Sequence, residues 1–449
     1  MQTTSRHRRY RHRRPVTDVE ATTPTPAPHP RPGEFVPTGD SAASFVPAAR
    51  VHDFVAKLCQ PSLWGAVTQY VLWQRAVRSG LGAAVPLPIR PLSINLDLTT
   101  ACNYACDHCI DWDQLNSPAR HEDAVLRASL AQMAQEGLRS VILIGGGEPT
   151  LYPGFVAFVR YAKSLGLDVA IVSNGSHNER IFAVADCLGQ RDWVRLSLDA
   201  GTNTTFQAMH KPSPRTLTLD EICSFVPRIK KANPKLAVGF SFIVTWKGAS
   251  RDDAKVVENL GEMEMAARLA RDHGFDYIAY KPFLVRAETG SEVLDPRRAE
   301  EQLAQVIARI KQLLAAARRL EAPGFKIVES TNLRVLLDGT WQRLTRQPRT
   351  CHMQALRQVV TPLGVYQCPA YRGVGYARVG DKDLHATAAG STRAASATAA
   401  LLANFDASER CREVTCLYNA ANWWLEELVE SGVDPASLLP GEERLDYFL

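Results

Sequence analysis

The fold of this chain is decided by residues 101–109, which read ACNYACDHC and place cysteines at Cys102, Cys106 and Cys109. An apolar run at residues 92–98 comes directly before them and is predicted to be a strand. The chain turns between the cysteines, so their three sulfurs can meet at one metal centre. Thiolates are soft ligands that select iron–sulfur clusters, zinc or copper(I). Three ligands leave one iron of a four-iron cluster open to an outside molecule.

The cysteine spacing, directly after a strand, resembles the signature of the radical S-adenosylmethionine (radical SAM) superfamily. The resemblance implies that Cys102, Cys106 and Cys109 hold a 4Fe–4S cluster whose open iron binds S-adenosyl-L-methionine (SAM). His108 stands where the family commonly has an aromatic residue, and its ring can stack on the adenine of SAM. A zinc site or plain buried cysteines are the alternatives for this loop.

Strand and helix patterns alternate between residues 92 and 283, which predicts six strand–helix units with parallel strands and right-handed crossovers. The strands are predicted at residues 92–98, 140–144, 168–173, 194–198, 238–244 and 277–280. Six units are too few for a closed eight-stranded barrel. We therefore expect an α/β fold with an open, partial (β/α)6 barrel, which is also the fold that the resemblance implies. The site should lie at the C-terminal ends of its strands.

A glycine-rich stretch, residues 145–150 with the sequence GGGEPT, follows the second predicted strand. Glycine has no Cβ, so the backbone can approach a ligand closely there. The stretch resembles the GGE motif of the family, and the resemblance implies that Gly146, Gly147 and Glu148 form the site of the SAM ammonium group. The alternative is a glycine-rich turn that begins a helix.

Short polar side chains end the third and fourth predicted strands, at Ser173 and Asn174 and then at Ser197 and Asp199. The resemblance implies that these residues contact the methionine carboxylate and the ribose hydroxyls of SAM. The alternative is local capping of turns, which Ser, Asn and Asp favour in any protein.

Candidate catalytic residues follow the sixth predicted strand, although the sequence assigns no catalytic role outright. Tyr280, Lys281 and Arg286 carry polar groups near the expected cavity and are candidate substrate contacts. Asp111 and Asp113 follow the cysteine loop directly. They line the mouth of the site or cap the next segment, and the sequence does not decide between these roles.

A second cysteine set follows, at Cys351, Cys368, Cys411 and Cys416. Four cysteines can complete a four-ligand metal site. This set resembles the twitch domain, a shortened SPASM domain, and the resemblance implies an auxiliary 4Fe–4S cluster. A structural zinc site is the alternative.

Residues 386–400, rich in Ala, Ser and Thr, are predicted to be a loop. The remaining cysteines are interpreted as core residues: Cys59, Cys187 and Cys223.

The chain divides by composition into five segments. Residues 1–50 are predicted to be a disordered tail, basic and rich in proline. Residues 51–91 form a helical lead-in and linker, and residues 92–290 form the partial barrel. Residues 291–345 form a helical connection, and residues 346–449 form the cluster domain with a terminal helix.

The basic charge of the chain belongs to its first residues. Six arginines within residues 6–14 account for it, because without them the formal net charge falls from +5 to about −1. A nucleic-acid partner is therefore not expected. No apolar run approaches the ~18 residues of a membrane span, and no secretory signal is evident. The cysteine usage suits a reducing compartment, so we expect a cytoplasmic protein without a membrane partner.

The resemblance implies an enzyme that cleaves SAM reductively and abstracts hydrogen from a C–H bond, with an electron donor such as flavodoxin or ferredoxin. Twitch-bearing relatives include an aminocyclitol dehydrogenase, so a sugar or aminocyclitol is the expected small-molecule substrate. A peptide maturase is the alternative, and a non-catalytic metal-binding scaffold is a third. A scaffold has no need of the GGE motif. The reaction outcome and the fate of SAM stay open.

Overall fold

The fold is described from a computed structural model that covers residues 53–80, 86–251, 254–287, 290–294 and 300–449. The predicted tail at residues 1–50 lies outside these described residues. None of the described helices is long and apolar enough to cross a bilayer.

A ten-stranded sheet forms the centre of the molecule, in the order β7-β6-β5-β4-β3-β2-β1-β8-β9-β10. The strands β1 to β8 pair in parallel, and β9 and β10 are antiparallel additions at one edge. The strands are β1 (Ser93–Leu96), β2 (Ser140–Leu143), β3 (Asp168–Ser173), β4 (Trp193–Ser197), β5 (Ala237–Val244), β6 (Tyr277–Pro282), β7 (Lys326–Glu329), β8 (Arg357–Thr361), β9 (Gly364–Tyr366) and β10 (Arg378–Gly380).

All six predicted strands are confirmed, as β1 to β6, and they form the predicted parallel α/β arrangement. The strands are buried on both faces, so they are mostly apolar without strict alternation. One face packs under the helices through residues such as Val169 and Ile171. On the other face, Ala170, Trp193 and Ala237 pack around Phe448 at the N-terminal ends of the strands.

Fourteen α-helices accompany the sheet in the described part of the chain. They are α1 (Phe54–Leu58), α2 (Pro61–Arg78), α3 (Asp123–Gln135), α4 (Phe155–Ser164), α5 (Asn178–Phe182), α6 (Asn203–His210), α7 (Leu219–Ala232), α8 (Met263–Asp272), α9 (Glu300–Arg318), α10 (Thr331–Leu337), α11 (Met353–Leu356), α12 (Ala388–Asn404), α13 (Ala407–Arg410) and α14 (Asn419–Glu430). Two short ribbons pair Ser250–Arg251 with Ala254–Lys255 and Val285–Arg286 with Glu292–Val293.

The sheet runs further than the six predicted strands, because residues outside the predicted barrel extend it at both edges. β7 lies within the predicted helical connection and pairs with β6, so that connection is not wholly helical. β8 lies within the predicted cluster domain and pairs with β1 along four residues. The sheet therefore crosses the boundary that composition suggests between these segments.

The loop predicted at residues 386–400 is wrong, since most of it lies in helix α12. Alanine is the strongest helix former, and here it outweighs the turn-like content of Ser and Thr. Thr387 caps the helix by accepting a hydrogen bond from the Gly390 amide.

The helical lead-in is present as α1 and α2. It packs on α14 and on the residues that follow Cys351. Tyr70 of α2 bonds His352 Nδ1 at 2.7 Å, and His352 Nε2 lies 2.6 Å from Glu426 of α14. These contacts belong to a second hydrophobic core, separate from that of the barrel. The start and end of the described chain are thereby joined beside the second cysteine set.

Candidate active site

One cavity of about 580 Å³ connects the two cysteine sets. Its wall contains the polar strand ends and the loop after β1. The cysteines that line it are Cys102, Cys106, Cys109, Cys351, Cys368, Cys411 and Cys416. The structure therefore brings together two groups of thiols that lie more than two hundred residues apart in the sequence.

The first cysteine loop is anchored to the segment that follows it and to the end of helix α6. The Cys102 amide donates to Asn116 Oδ1 at 3.0 Å, and the Ala105 amide donates to the His210 carbonyl at 3.1 Å. Burial raises the pKa of Cys102 to about 11 and that of Cys106 well above its ordinary value. Such thiols lose their protons only when a cation replaces them, so a set of three fits a thiolate-bound metal cluster.

His210, which the sequence analysis did not single out, joins the cysteine loop to the end of β4. Its Nδ1 lies 3.2 Å from the Cys106 sulfur, and its Nε2 donates to the Leu198 carbonyl at 2.9 Å. His108 Nε2 lies 3.2 Å from Asp199 Oδ2. Burial favours the protonated acid, but hydrogen bonds from the two histidines lower the pKa of Asp199. No feature used in the sequence analysis placed His210 near the loop; its position at the end of helix α6 does so.

The glycines after β2 make room for protein backbone. A Cβ at Gly147 would lie 2.5 Å from the Thr99 carbonyl oxygen and 2.6 Å from that of Ala101. Gly145 has φ +131, and a Cβ there would overlap the Asp97 carboxylate. The Gly146 amide donates to Asp97 Oδ2 at 3.0 Å. The glycine-rich stretch thus packs against the chain that leads into the cysteine loop, in addition to any ligand contact.

Glu148 lines the cavity and ties two loops together. Its carboxylate accepts hydrogen bonds from the Asn174 amide at 2.6 Å, from Ser173 Oγ at 2.7 Å and from the Thr150 amide at 3.0 Å. Burial raises the pKa of Glu148, and these bonds oppose the shift. Asn174 continues the link, since its Nδ2 donates to Asn103 Oδ1 at 2.9 Å. The predicted residues Glu148, Ser173 and Asn174 therefore form one connected unit.

The remaining predicted cofactor contacts also lie at the cavity. Ser197, Asp199, His108 and Gly147 line it, whereas Gly146 bonds through its amide to Asp97. The structure brings these residues together at one rim, which is the arrangement that binding of one ligand requires.

The three candidate catalytic residues take different places. Lys281 lines the cavity. Tyr280 faces the helical layer, where its hydroxyl donates to the Met263 carbonyl at 2.6 Å. This position contradicts its expected contact with the substrate, because alternate residues of a strand face opposite sides. Arg286 donates to the Ile110 carbonyl at 3.0 Å and to the Gly290 carbonyl at 2.9 Å. Arg286 therefore braces the loop after the cysteines.

A buried ion network closes one side of the site. Arg372 lies between two acids, with Nη1 2.8 Å from Asp111 Oδ2 and Nε 3.2 Å from Asp97 Oδ2. Arg286 approaches Asp111 at 3.5 Å. Burial raises the pKa of Asp97 to about 7, and it raises that of Glu292, at the cavity wall, to about 7 as well. Asp111 is not among the residues that line the cavity, and its pairing with Arg372 and Arg286 differs from both roles left open for it.

The second cysteine set is also suited to a metal cluster. Burial raises the pKa of Cys351 to about 12, and burial together with the charges of the other three cysteines raises the pKa of Cys416 well above its ordinary value. Asn422 Nδ2 lies 3.7 Å from the Cys351 sulfur, and the Tyr371 hydroxyl lies 3.6 Å from the Cys411 sulfur. Hydrogen bonds to sulfur are a usual outer contact of thiolate clusters. Cys59, Cys187 and Cys223 do not line the cavity. Cys223 is buried in the core, whereas Cys59 and Cys187 are half-buried at its edge.

Comparisons with known proteins point to one family. Residues 96–260 match the family model described as the radical SAM superfamily. The chain is similar to an S-adenosylmethionine-dependent nucleotide dehydratase of Selenomonas ruminantium, with 28% identity over 172 residues, which are 35% of this chain and 58% of that protein. It is similar to the mycofactocin maturase MftC of Mycobacterium ulcerans, with 27% identity over 197 residues, which are 41% of this chain and 45% of that protein.

The match to these curated relatives is partial, since it spans at most 58% of their length. Among solved structures, the chain is similar to SuiB of Streptococcus suis, with a TM-score of 0.47 and 13% identity. That similarity covers 67% of this chain and 66% of SuiB.

Proposed function

Because residues 96–260 form a radical SAM domain, we propose that this chain is an enzyme that cleaves SAM reductively and abstracts hydrogen from a C–H bond of a small molecule. The observation that carries the proposal is the single cavity lined by both cysteine sets. A cavity of this size is in the range of ligand pockets for small molecules.

We assign the first 4Fe–4S cluster to Cys102, Cys106 and Cys109, and an auxiliary, twitch-like cluster to Cys351, Cys368, Cys411 and Cys416. When bound, the first cluster supplies the electron that cleaves SAM, and the auxiliary cluster supplies an acceptor for an electron from the substrate. Residues 92–290 and 346–449 are the corresponding proposed domains. The meeting of both cysteine sets at one cavity supports this assignment over isolated core cysteines.

In this proposal, the chain's own residues bind and orient SAM and shield the reactive radical from water. Glu148 holds the end of β2 against Ser173 and Asn174, so the backbone after β2 is fixed where the SAM ammonium group would bind. Ser197, Asp199 and His108 complete the same rim. The apolar remainder of the cavity wall excludes water, which protects a reactive radical from side reactions.

The substrate is proposed to be a sugar-type or aminocyclitol-type small molecule that is oxidised or otherwise modified. The name of one relative, a nucleotide dehydratase, supports a small-molecule substrate that contains a sugar. The name of another, a maturase, supports the alternative of a peptide substrate. Incubation with SAM, dithionite and candidate substrates separates the two, because only the true class increases the turnover of SAM.

The metal assignment is tested by anaerobic reconstitution of the full chain, followed by quantification of iron and zinc. We expect about eight irons per chain. Cys102→Ala and Cys368→Ala should each remove about four, because each breaks one cluster site. Cys187→Ala is the matched control, since Cys187 lies outside the cavity, and it should keep the full iron content.

Zinc in place of iron at Cys102, Cys106 and Cys109 would contradict the proposed function. Zinc at the second set alone would remove only the auxiliary cluster from the proposal, because four thiolates also make a closed zinc site.

A further inference from the structure

Four polar side chains of the cavity wall form a group in which Ser197, at the rim of the proposed SAM site, lies beside three residues to which the proposed function gives no role. They project from three neighbouring parallel strands: Arg195 and Ser197 from β4, Ser241 from β5 and Lys281 from β6. Ser197 lies directly opposite Ser241 in the sheet. Because strand residues alternate between faces, Arg195 and Lys281 occupy the same face as the two serines.

The sheet register places the two cations on either side of the hydroxyl groups. Arg195 lies two residues before Ser197 on the same face of β4 and pairs with Gly239. Lys281 pairs with Ile243, which lies two residues after Ser241 on the same face of β5. Each inward step is roughly 7 Å along a strand, so long side chains from both sides can reach the serine row. The four polar groups therefore lie around one part of the cavity.

Among the residues that the structure describes, these side chains have no hydrogen-bond or ion-pair partner. Lys281, Ser197 and Ser241 make no side-chain hydrogen bond or ion pair with any residue that the structure describes. The Arg195 guanidinium rests over the Trp193 ring at 5.3 Å and likewise forms no ion pair within the described residues. Buried polar groups are nearly always hydrogen-bonded, and buried charges are nearly always paired. Arg195 Nε is buried without a hydrogen-bond partner, and the other three groups line the same cavity, so the arrangement indicates a ligand that bonds to all four.

The local charge balance selects the sign of that ligand. Burial and the charge of Arg195 lower the pKa of Lys281, and Asp199 opposes the shift. Asp199 already accepts a hydrogen bond from the Ile243 amide at 2.6 Å and lies 3.2 Å from His108. One engaged carboxylate thus stands beside two basic side chains, Arg195 and Lys281. A bound anion would favour the charged form of Lys281, whereas an amine would oppose it.

We propose that Arg195, Ser197, Ser241 and Lys281 form a subsite for an oxyanion of the substrate, a phosphate or a carboxylate group. The inference rests on the proposed function, since it assigns ligand chemistry within the same cavity. Two cations and two hydroxyl donors suit a tetrahedral phosphate, which offers several acceptor oxygens and up to two negative charges. Of the proposed substrates, a sugar that carries such a group fits this wall, and an aminocyclitol with a free ammonium does not.

The test is calorimetric titration of inorganic phosphate, and separately of acetate, into the reconstituted full chain with and without SAM. Phosphate should bind the wild type at least tenfold more tightly than it binds Lys281→Met or Arg195→Gln. Arg268→Gln is the matched control, because Arg268 lies exposed on the outer face of α8, and it should bind like the wild type. Tight binding of acetate instead of phosphate would identify a carboxylate as the ligand group.

Two results would overturn the subsite. One is equal binding of both anions by the wild type and the Lys281→Met variant. The other is a tenfold loss of SAM affinity in that variant, which would assign the cations to the carboxylate of SAM. Loss of an unpaired buried charge should not lower the melting temperature, so a folded variant is expected. Phosphate binding without any SAM cleavage would sink the proposed function and leave the subsite standing.

Discussion

Two buried histidines, His121 and His385, couple the protonation of single residues to the stability of the fold. Burial lowers the pKa of each to about 4. His385 Nε2 donates to Gln358 Oε1 at 3.0 Å. His121 Nε2 donates to the Asp97 carbonyl at 3.1 Å, next to the loop of the first cysteine set. Both rings are therefore neutral in the folded protein under conditions where an unfolded chain would protonate them.

His385→Gln should make the protein less sensitive to acid. The folded pKa lies below the unfolded value of about 6.5, so stability is complete above pH 6.5 and falls as the pH drops towards 4. Between pH 7 and pH 5 this histidine should cost the wild type about 2 kcal/mol of unfolding free energy. The variant should lose about 2 kcal/mol less over that interval, measured by urea denaturation at both pH values.

His273→Gln is the control for this prediction, because His273 lies half-buried at the end of helix α8. This control should lose as much stability as the wild type. An equal loss in His385→Gln would contradict the account of a buried, neutral ring.

At the scale of elements, the end of β2 and the entry to the cysteine loop pack as one unit. The Glu148 amide donates to the Ala101 carbonyl at 2.8 Å, and Gly147 leaves no space for a side chain beside it. The geometry of the first cysteine set therefore depends on a glycine about forty residues further along the chain.

Gly147→Ala should disrupt the first cluster site while the second keeps its metal. A Cβ there meets backbone oxygens of Thr99 and Ala101, which cannot move aside as a flexible side chain could. Iron in the reconstituted variant should fall from about eight to about four per chain. Gly261→Ala is the control, since nothing lies within 4 Å of its Cβ position, and it should keep about eight. Wild-type iron content in Gly147→Ala would contradict this packing argument.

The elements that the sequence predicts best are those with a continuous local pattern. The six core strands each combine an apolar run with a helix before the next run, so residues 168–173 and 238–244 were located closely. β8 escaped because its pairing partner, β1, lies far away along the chain, and β7 escaped because it is a short strand with the charged residues Lys326 and Glu329 at its ends. Helix α12 escaped because its Ser and Thr content resembles that of a loop, while its buried face is set by packing.

At the scale of the whole molecule, Arg372 joins the C-terminal segment to the barrel. It follows Cys368 of the second set closely, and it contacts Asp97 of the barrel and Asp111 after the first set. The two cysteine sets are thus connected by a buried ion pair network as well as by the cavity. No local pattern in the sequence predicts such contacts, because the partners lie about 260 residues apart.

Arg372→Met should destabilise the protein by ~3–5 kcal/mol, because it leaves two buried carboxylates without their cation. Burial raises the pKa of Asp97 to about 7, so this carboxylate is more fully ionised at pH 8 than at pH 5 and the deficit should be larger at pH 8. Urea denaturation at both pH values measures it.

Arg378→Met is the matched control within the same segment, since Arg378 pairs with Asp381 at the surface. An exposed pair of this kind contributes about 0.2–1 kcal/mol, so this variant should remain close to the wild type. Equal effects of the two substitutions would contradict a buried joining role for Arg372.

Some residues of the site could be predicted from the sequence, and others could not. Cys102, Glu148 and Ser173 belong to short motifs at strand ends, and the structure brings them to one cavity. Arg195 stands within an apolar strand, so its charge was a visible sign of function that the sequence analysis did not use. His210 reaches the site only through the fold of α6 against the cysteine loop.

The central claim is that the first three cysteines hold a cluster that cleaves SAM, and the most direct measurement is the formation of 5′-deoxyadenosine. The reconstituted chain is incubated with SAM and dithionite under anaerobic conditions, and the product is quantified by liquid chromatography. The wild type and Cys187→Ala should form 5′-deoxyadenosine, and Cys102→Ala should form none. No product from a wild type with full iron content under any reducing condition would contradict the claim and favour a metal-binding scaffold.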